Sequence, residues 1–213
     1  IKSSRTGCLQ LTISIKSHQY SGSCKQTHNL QVTHMTAAIQ CPTFKPTLRL
    51  GNNGQDVKEL QKRLNQRFAS IYTPSLEIDI DGDFGSQTET AVNYLQCLAF
   101  LPVTGISDAA TWNFICDGVA SLPVLKLNSK GNTVKAVQQA LCGMPPALSS
   151  AYRGFYSGAI DGSFGSGTVQ AVKDFQSFYS LKVDAVIGAG TWTALIKMDS
   201  HRDRCYSTYY GGC

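Results

Sequence analysis

What most constrains this chain is that a long stretch of it occurs twice. LEIDIDGDFGSQTETAVNYLQ from Leu76 and GAIDGSFGSGTVQAVKDFQ from Gly158 align at a spacing of 80 residues. They share Asp81/Asp161, Gly82/Gly162, Phe84/Phe164, Gly85/Gly165, Ser86/Ser166 and Thr88/Thr168, then Ala91/Ala171, Val92/Val172 and Gln96/Gln176. The match resumes at Leu101/Leu181, Val103/Val183, Thr111/Thr191 and Trp112/Trp192. Upstream the spacing falls to 77, pairing Gly54/Gly131, Val57/Val134, Gln61/Gln138 and Leu64/Leu141. Copy two therefore carries a loop longer by about three residues, and the chain contains a duplicated domain.

Each copy can be built from its residues. Val57, Leu60, Leu64 and Phe68 recur at the spacing of an amphipathic helix, with Asp56 in its first turn. Copy two repeats this with Val134, Val137 and Leu141 and then meets the breakers Gly143, Pro145 and Pro146. Asp-Gly-x-Phe-Gly follows as a turn whose glycines permit positive φ and whose Phe drops into the core. Ser86 with Glu89 reads as a capping box opening a second helix, which buries Ala91, Val92 and Leu95, or Ala171, Val172 and Phe175. A third helix carries Trp112 or Trp192. Three short helices around one Phe and one Trp make a viable core of ~65 residues.

Composition narrows the class. The 213 residues are 42% hydrophobic and 15% charged, the balance of a folded globular chain. A net charge of +5 without any Lys/Arg block argues against nucleic acid, and biases encounters towards anionic polymers. No apolar run approaches the ~20 residues that span a bilayer. Eight cysteines (Cys8, Cys24, Cys41, Cys97, Cys116, Cys142, Cys205 and Cys213) are spread evenly with no CxxC pair. That pattern reads as disulfides formed in an oxidising compartment. A start at Ile1 without a leader fits a processed, secreted protein, outside the cell or associated with its wall. Cys97 and Cys116 occur only in copy one, near the ends of its second and third helices, and are expected to bond to each other. Cys142 would then seek the tail or the N-terminal segment.

The doubled motif resembles the peptidoglycan-binding domain of bacterial wall hydrolases. That family runs roughly L-x-x-G-x-x-G-x-x-V-x-x-L-Q-x-x-L, D-G-x-F-G-x-x-T-x-x-A-V-x-x-F-Q and G-x-x-T-W-x-x-L. Its fold-defining positions fall on Asp81, Gly82, Phe84, Gly85, Thr88 and Trp112, and on Asp161, Gly162, Phe164, Gly165, Thr168 and Trp192. Copy one departs at Leu95, where the family prefers Phe, and at Asp108, where it prefers Gly. The resemblance covers about two thirds of the chain and implies a mainly α fold. Two tandem three-helix peptidoglycan-binding-like modules would occupy 48–119 and 120–198. A small disulfide-pinned segment, 1–47, precedes them and can form a β-strand over Leu9 to Ile15; a cysteine-containing tail, 199–213, follows. It also implies noncovalent binding of wall glycan or stem peptide.

No catalytic signature stands beside it. HExxH, GxSxG, a phosphate-binding Gly-rich loop and a His-Gly-Cys element are all missing from the sequence. The only glutamates are Glu59, Glu77 and Glu89, which give no acid pair of the lysozyme kind. Asp79, Asp81 and Asp83 resemble a calcium loop, but Phe84 and Thr90 stand where that loop needs Gly and Glu. Cys24, His28, His34 and Cys41 match no standard zinc signature. The chain is thus expected to be no enzyme and to need neither metal nor cofactor. Sugar-binding surfaces offer aromatic faces with polar partners. Outside the core pattern those are Arg63, Tyr72, Tyr152, Arg153, Tyr156 and Tyr179, with Arg67 and Phe155 nearby. Two functions fit: a secreted wall-binding protein gaining avidity from two modules, or a subunit of an extracellular fibre, sheath or surface layer self-assembling through its N-terminal segment.

Overall fold

The computed structural model describes residues 41–71, 77–142, 154–200 and 205. All of them lie in one compact unit, Ala37–Cys213. The expected strand at Leu9 to Ile15, and Cys8, Cys24 and Cys213, lie outside the described residues.

Six α-helices follow one another among those residues: α1 (Gln55–Ile71), α2 (Ser86–Leu98), α3 (Ala109–Asp117), α4 (Asn132–Cys142), α5 (Ser166–Phe178) and α6 (Ala189–Ser200). A 3-10 turn, Gly118–Ser121, joins the first three to the second three. The described part is mainly α, in two three-helix halves, as the repeat requires. The periodicity has its expected cause: Val57, Leu60, Leu64 and Phe68 of α1 and Val134, Val137 and Leu141 of α4 are all buried. Trp112 and Trp192 are both fully enclosed, and each indole N–H donates to a proline carbonyl, Pro46 at 2.8 Å and Pro123 at 2.9 Å. The same anchor is thus built twice, from the extended segment that enters each half.

Isolated β-bridges stitch those entering segments to the turns. Leu48 pairs with Ser107 and Asn53 with Asp83; Leu125 pairs with Ile187 and Lys130 with Ser163. The helix starts partly differ from expectation. α2 has no capping box: Gly85 is its N-cap, makes no side-chain cap bond, and leaves Ser86 as the first helical residue. α3 has a genuine cap, because the Asp108 carboxylate accepts from the Thr111 N–H at 2.9 Å. The equivalent residue before α6 is Gly188, and both share the backbone bond in which the Trp112 or Trp192 N–H donates to the Asp108 or Gly188 carbonyl at 2.9 Å.

The two halves share an interface. α6 packs on α1, α2 and the 3-10 turn, and the Phe100 ring meets Trp192 at 5.2 Å between centroids. Phe100 holds φ at +58° and its equivalent Ser180 +53°, left-handed residues that end α2 and α5 in the same way, each followed by an N–H that reaches back to the Gln96 or Gln176 carbonyl.

Disulfides replace the expected pairing. Cys97 bonds Cys205 rather than Cys116, and Cys116 bonds Cys41. The end of α2 faces the segment after α6, whereas the end of α3 faces the segment preceding the first half, so the two cysteines diverge. Cys142 is also disulfide-bonded.

Candidate functional site: a doubled turn-and-helix face

Four buried glutamines organise the polar interior. Val-x-x-apolar-Gln occurs in α1 (Val57, Leu60, Gln61), α2 (Val92, Leu95, Gln96), α4 (Val134, Val137, Gln138) and α5 (Val172, Phe175, Gln176). Each glutamine grips the turn that leads into the next helix. The Gln61 amide oxygen accepts from Gly82 N–H at 2.9 Å, and its Nε2 donates to Asp81 Oδ1, the Asp83 carbonyl and Thr88 Oγ1. Gln138 repeats this with Gly162, Asp161, Ser163 and Thr168. Gln96 holds Thr104, Gly105, Ile106 and Thr111, and Gln176 holds Asp184, Ala185, Val186 and Thr191. Buried amides must find partners, and here one side chain serves several backbone groups at once. The Val-x-x-apolar-Gln recurrence is a sequence signal for these brackets that reading only the two long copies overlooks.

Glycine is required at two of these turns. Gly82 (φ +88°) and Gly162 (φ +74°) are left-handed. A Cβ there would also stand 3.2 Å from the Gly54 carbonyl oxygen or 3.0 Å from that of Gly131. Turn carboxylates are fixed electrostatically as well. Asp81 is held below the ordinary carboxylate range by the Asp83 N–H and then by Gln61. Asp161 is lowered by Gln138 and then the Ser163 N–H, and Asp184 by the Val186 N–H and then Gln176. Asp81 also bonds local backbone: its Oδ1 accepts from Asp83 N–H at 2.8 Å.

The surface around the turns is doubled too. Leu50 and Leu127, equivalent in the two copies, are both exposed, as are Val103 and Val183. Lys58 and Lys135 are likewise equivalent and exposed, each on the helix beside its Asp-Gly turn. Among the described residues no group of three or more His, Cys, Asp or Glu side chains could hold a metal ion. Cys41, once a zinc candidate, is in a disulfide.

Of the six sequence-predicted binding residues, the structure describes Arg63, Tyr156 and Tyr179. Tyr72, Tyr152 and Arg153 lie outside the described residues. Tyr156 is buried, donates its hydroxyl to the Ala159 carbonyl at 2.6 Å and accepts from Gln138, so its side chain is committed to the core. Phe155 is buried against Phe175. Arg63 pairs with Glu59 at 2.6 Å along α1 and also donates to Gln66. Arg67 reaches the carbonyls of Ile115 and Cys116 at the end of α3, where a cation satisfies orphaned helix carbonyls. Burial lowers its pKa, partly offset by Asp117. Tyr179 keeps a half-buried ring, packed on Phe175 at 4.6 Å. Its neighbour Phe178, absent from the sequence-based selection, is exposed beside it.

A family model described as "Putative peptidoglycan binding domain" matches residues 53–115 and 147–195, just over half of the chain. The chain belongs to the peptidoglycan-binding domain family. The second matched stretch starts after α4, yet α4 supplies Gln138 to the turn of that peptidoglycan-binding module. Three solved structures are similar in part, each with a low TM-score. The Burkholderia AP3 phage endolysin is 37% identical over 34% of this chain and 26% of its own, with a TM-score of 0.30. The SleB N-terminal domain is 30% identical over 37% of this chain and 97% of its own, also at 0.30. A fused Zn-dependent amidase/peptidase/peptidoglycan-binding protein from Clostridium acetobutylicum ATCC 824 is 29% identical over 34% and 29%, at 0.29. The chain spans about a quarter of the length of the endolysin. Among curated proteins none matches it.

Proposed function

We propose that this chain is a secreted, noncatalytic protein that binds peptidoglycan through its tandem modules. The observation that carries the reading is the family domain present twice, each copy with its own Trp anchor and pair of glutamine-gripped turns. The disulfides support an oxidising location. No helix among the described residues is long and apolar enough to cross a membrane. The noncatalytic part of the proposal rests on the commitments of the polar groups. The buried Gln and Thr side chains of the turns hydrogen-bond backbone and each other, so they act as scaffold.

Incubating the oxidised protein with purified insoluble peptidoglycan tests this. Co-sedimentation above that of an unrelated protein of equal charge is expected, with no muropeptides released into the supernatant. An absence of co-sedimentation refutes the binding proposal, and release of muropeptides refutes the noncatalytic one.

A further inference from the structure

The two copies use the same helix face in opposite ways. On α5, Gln170, Asp174 and Phe178 follow at four-residue steps and form one stripe along the helix. All three are exposed, Phe178 at 46%. The equivalent stripe on α2 is Thr90, Tyr94 and Leu98, of which Tyr94 is 4% and Leu98 0% exposed. The difference has a visible cause. α1 runs for 17 residues, and its last turns carry Phe68 onto Tyr94 at 6.0 Å between ring centroids. α4 is described over 11 residues, Asn132–Cys142, and on α5 it is Phe155, from the segment beyond, that meets Phe178. The end of α2 is also held in the seam between the halves, by Phe100 on Trp192 and by Cys97–Cys205. The corresponding residues after α5, Tyr179 and Ser180, lie at the surface.

The exposed stripe is ordered. Phe178 meets Phe155 at 5.6 Å and Tyr179 at 5.1 Å between centroids, with interplanar angles of 65° and 74°, so neither ring lies flat on it. One helical turn away, Gln170 Nε2 donates to Asp174 Oδ1 at 2.8 Å, which presents a carboxylate and an amide together on the same stripe as the ring. An exposed aromatic ring buttressed from the side, beside a fixed acceptor and amide, has the chemistry to bind a sugar. The ring covers the C–H face of a pyranose, and the polar pair takes its hydroxyl or acetamide groups.

Building on the proposed wall-binding role, we propose that Gln170, Asp174 and Phe178 form a saccharide subsite for a wall hexosamine, present only in the second copy. On this face the tandem is unequal: copy one uses the stripe for its own core and the seam, and copy two offers it to ligand. Binding through it therefore does not double with the module number.

The test titrates the full oxidised chain with soluble N-acetylglucosamine oligosaccharides, following amide chemical shifts, and measures sedimentation on purified peptidoglycan in parallel. Phe178→Ala and, separately, Asp174→Asn are compared with Thr90→Ala, the equivalent stripe position in copy one. The expected result is oligosaccharide-dependent shifts confined to the α5 region. Affinity should fall about tenfold in Phe178→Ala, from the lost half-exposed ring, and remain unchanged in Thr90→Ala. Should Phe178→Ala fail to fold, Asp174→Asn decides alone. Unchanged wall and sugar binding in the α5 variants overturns the subsite and leaves the wall-binding proposal standing. Wall binding that depends on Phe178 without any response to oligosaccharide overturns the saccharide assignment in favour of the stem peptide. Self-association abolished by Phe178→Ala assigns the ring to a second copy and overturns the proposal. A wild-type chain that binds neither wall nor sugar overturns both.

Discussion

Replacing Gln138 by leucine keeps most of the side-chain volume while removing every hydrogen bond it makes, which isolates the contribution of one bracket. The Gly162 N–H, buried and bonded to Gln138 Oε1 at 2.8 Å, loses its partner. One stranded buried donor costs about 1–3 kcal/mol. Nε2 also lies within hydrogen-bonding distance of the exposed Asp161 carboxylate, which keeps the Ser163 N–H, and of the Ser163 carbonyl, Thr168 Oγ1 and the Tyr156 hydroxyl. Those groups keep other partners, Thr168 with Ser163 and Tyr156 with Ala159, so this part of the loss is about 1 kcal/mol in total. Leucine returns up to about 1 kcal/mol of apolar burial. The net expectation is a loss of about 1–4 kcal/mol, or about 2–16 °C in Tm for a chain of this size. Urea denaturation of the oxidised protein reads it as a lower midpoint with an unchanged slope. Gln138→Ala is the control, since it removes volume as well and should cost more. If Gln138→Leu is neutral while Gln138→Ala is costly, the glutamine is a space-filler and the bracket account is wrong.

Trp192→Ala should cost about 3–5 kcal/mol and should also speed amide exchange at the end of α2, because Trp192 packs on Phe100 across the seam. Unaltered α2 protection would show that the halves are energetically separate. A second expectation concerns acid. Asp81, Asp161 and Asp184 have folded pKa values below the ordinary carboxylate value, so their stabilisation is complete above about pH 4 and is lost as the pH falls through the lowered values. The urea midpoint should therefore hold steady from neutral pH to about pH 5 and drop below about pH 4. An Asp81→Asn/Asp161→Asn double variant should show a flatter acid limb; an unchanged limb removes these turns from the account.

Much of the fold is legible in the sequence because the duplication repeats the physics. Val57 and Val134, Phe84 and Phe164, and Trp112 and Trp192 are apolar at matched positions and buried in both copies. The disulfides are not legible, since Cys41 and Cys116 lie 75 residues apart and Cys97 and Cys205 lie 108 apart. Local position at helix ends could not show which distant segment each cysteine faces. The candidate site was read only in part. Tyr156 sits in a stretch that looks like polar loop, and its burial depends on Gln138 from another helix. Phe178 has the opposite history: its equivalent, Leu98, is core, so the repeat reads it as interior. In the fold Phe178 is exposed and Leu98 buried, and the helix preceding α5 is described over 11 residues where α1 has 17.

The claim on which the functional account depends is tested most directly by a binding isotherm of the intact, disulfide-bonded chain on purified, teichoic-acid-free peptidoglycan. The account predicts depletion from solution that saturates with added protein and persists at physiological salt. Depletion that is absent, or that rises linearly and vanishes with salt, would reduce the interaction to nonspecific charge attraction and contradict it.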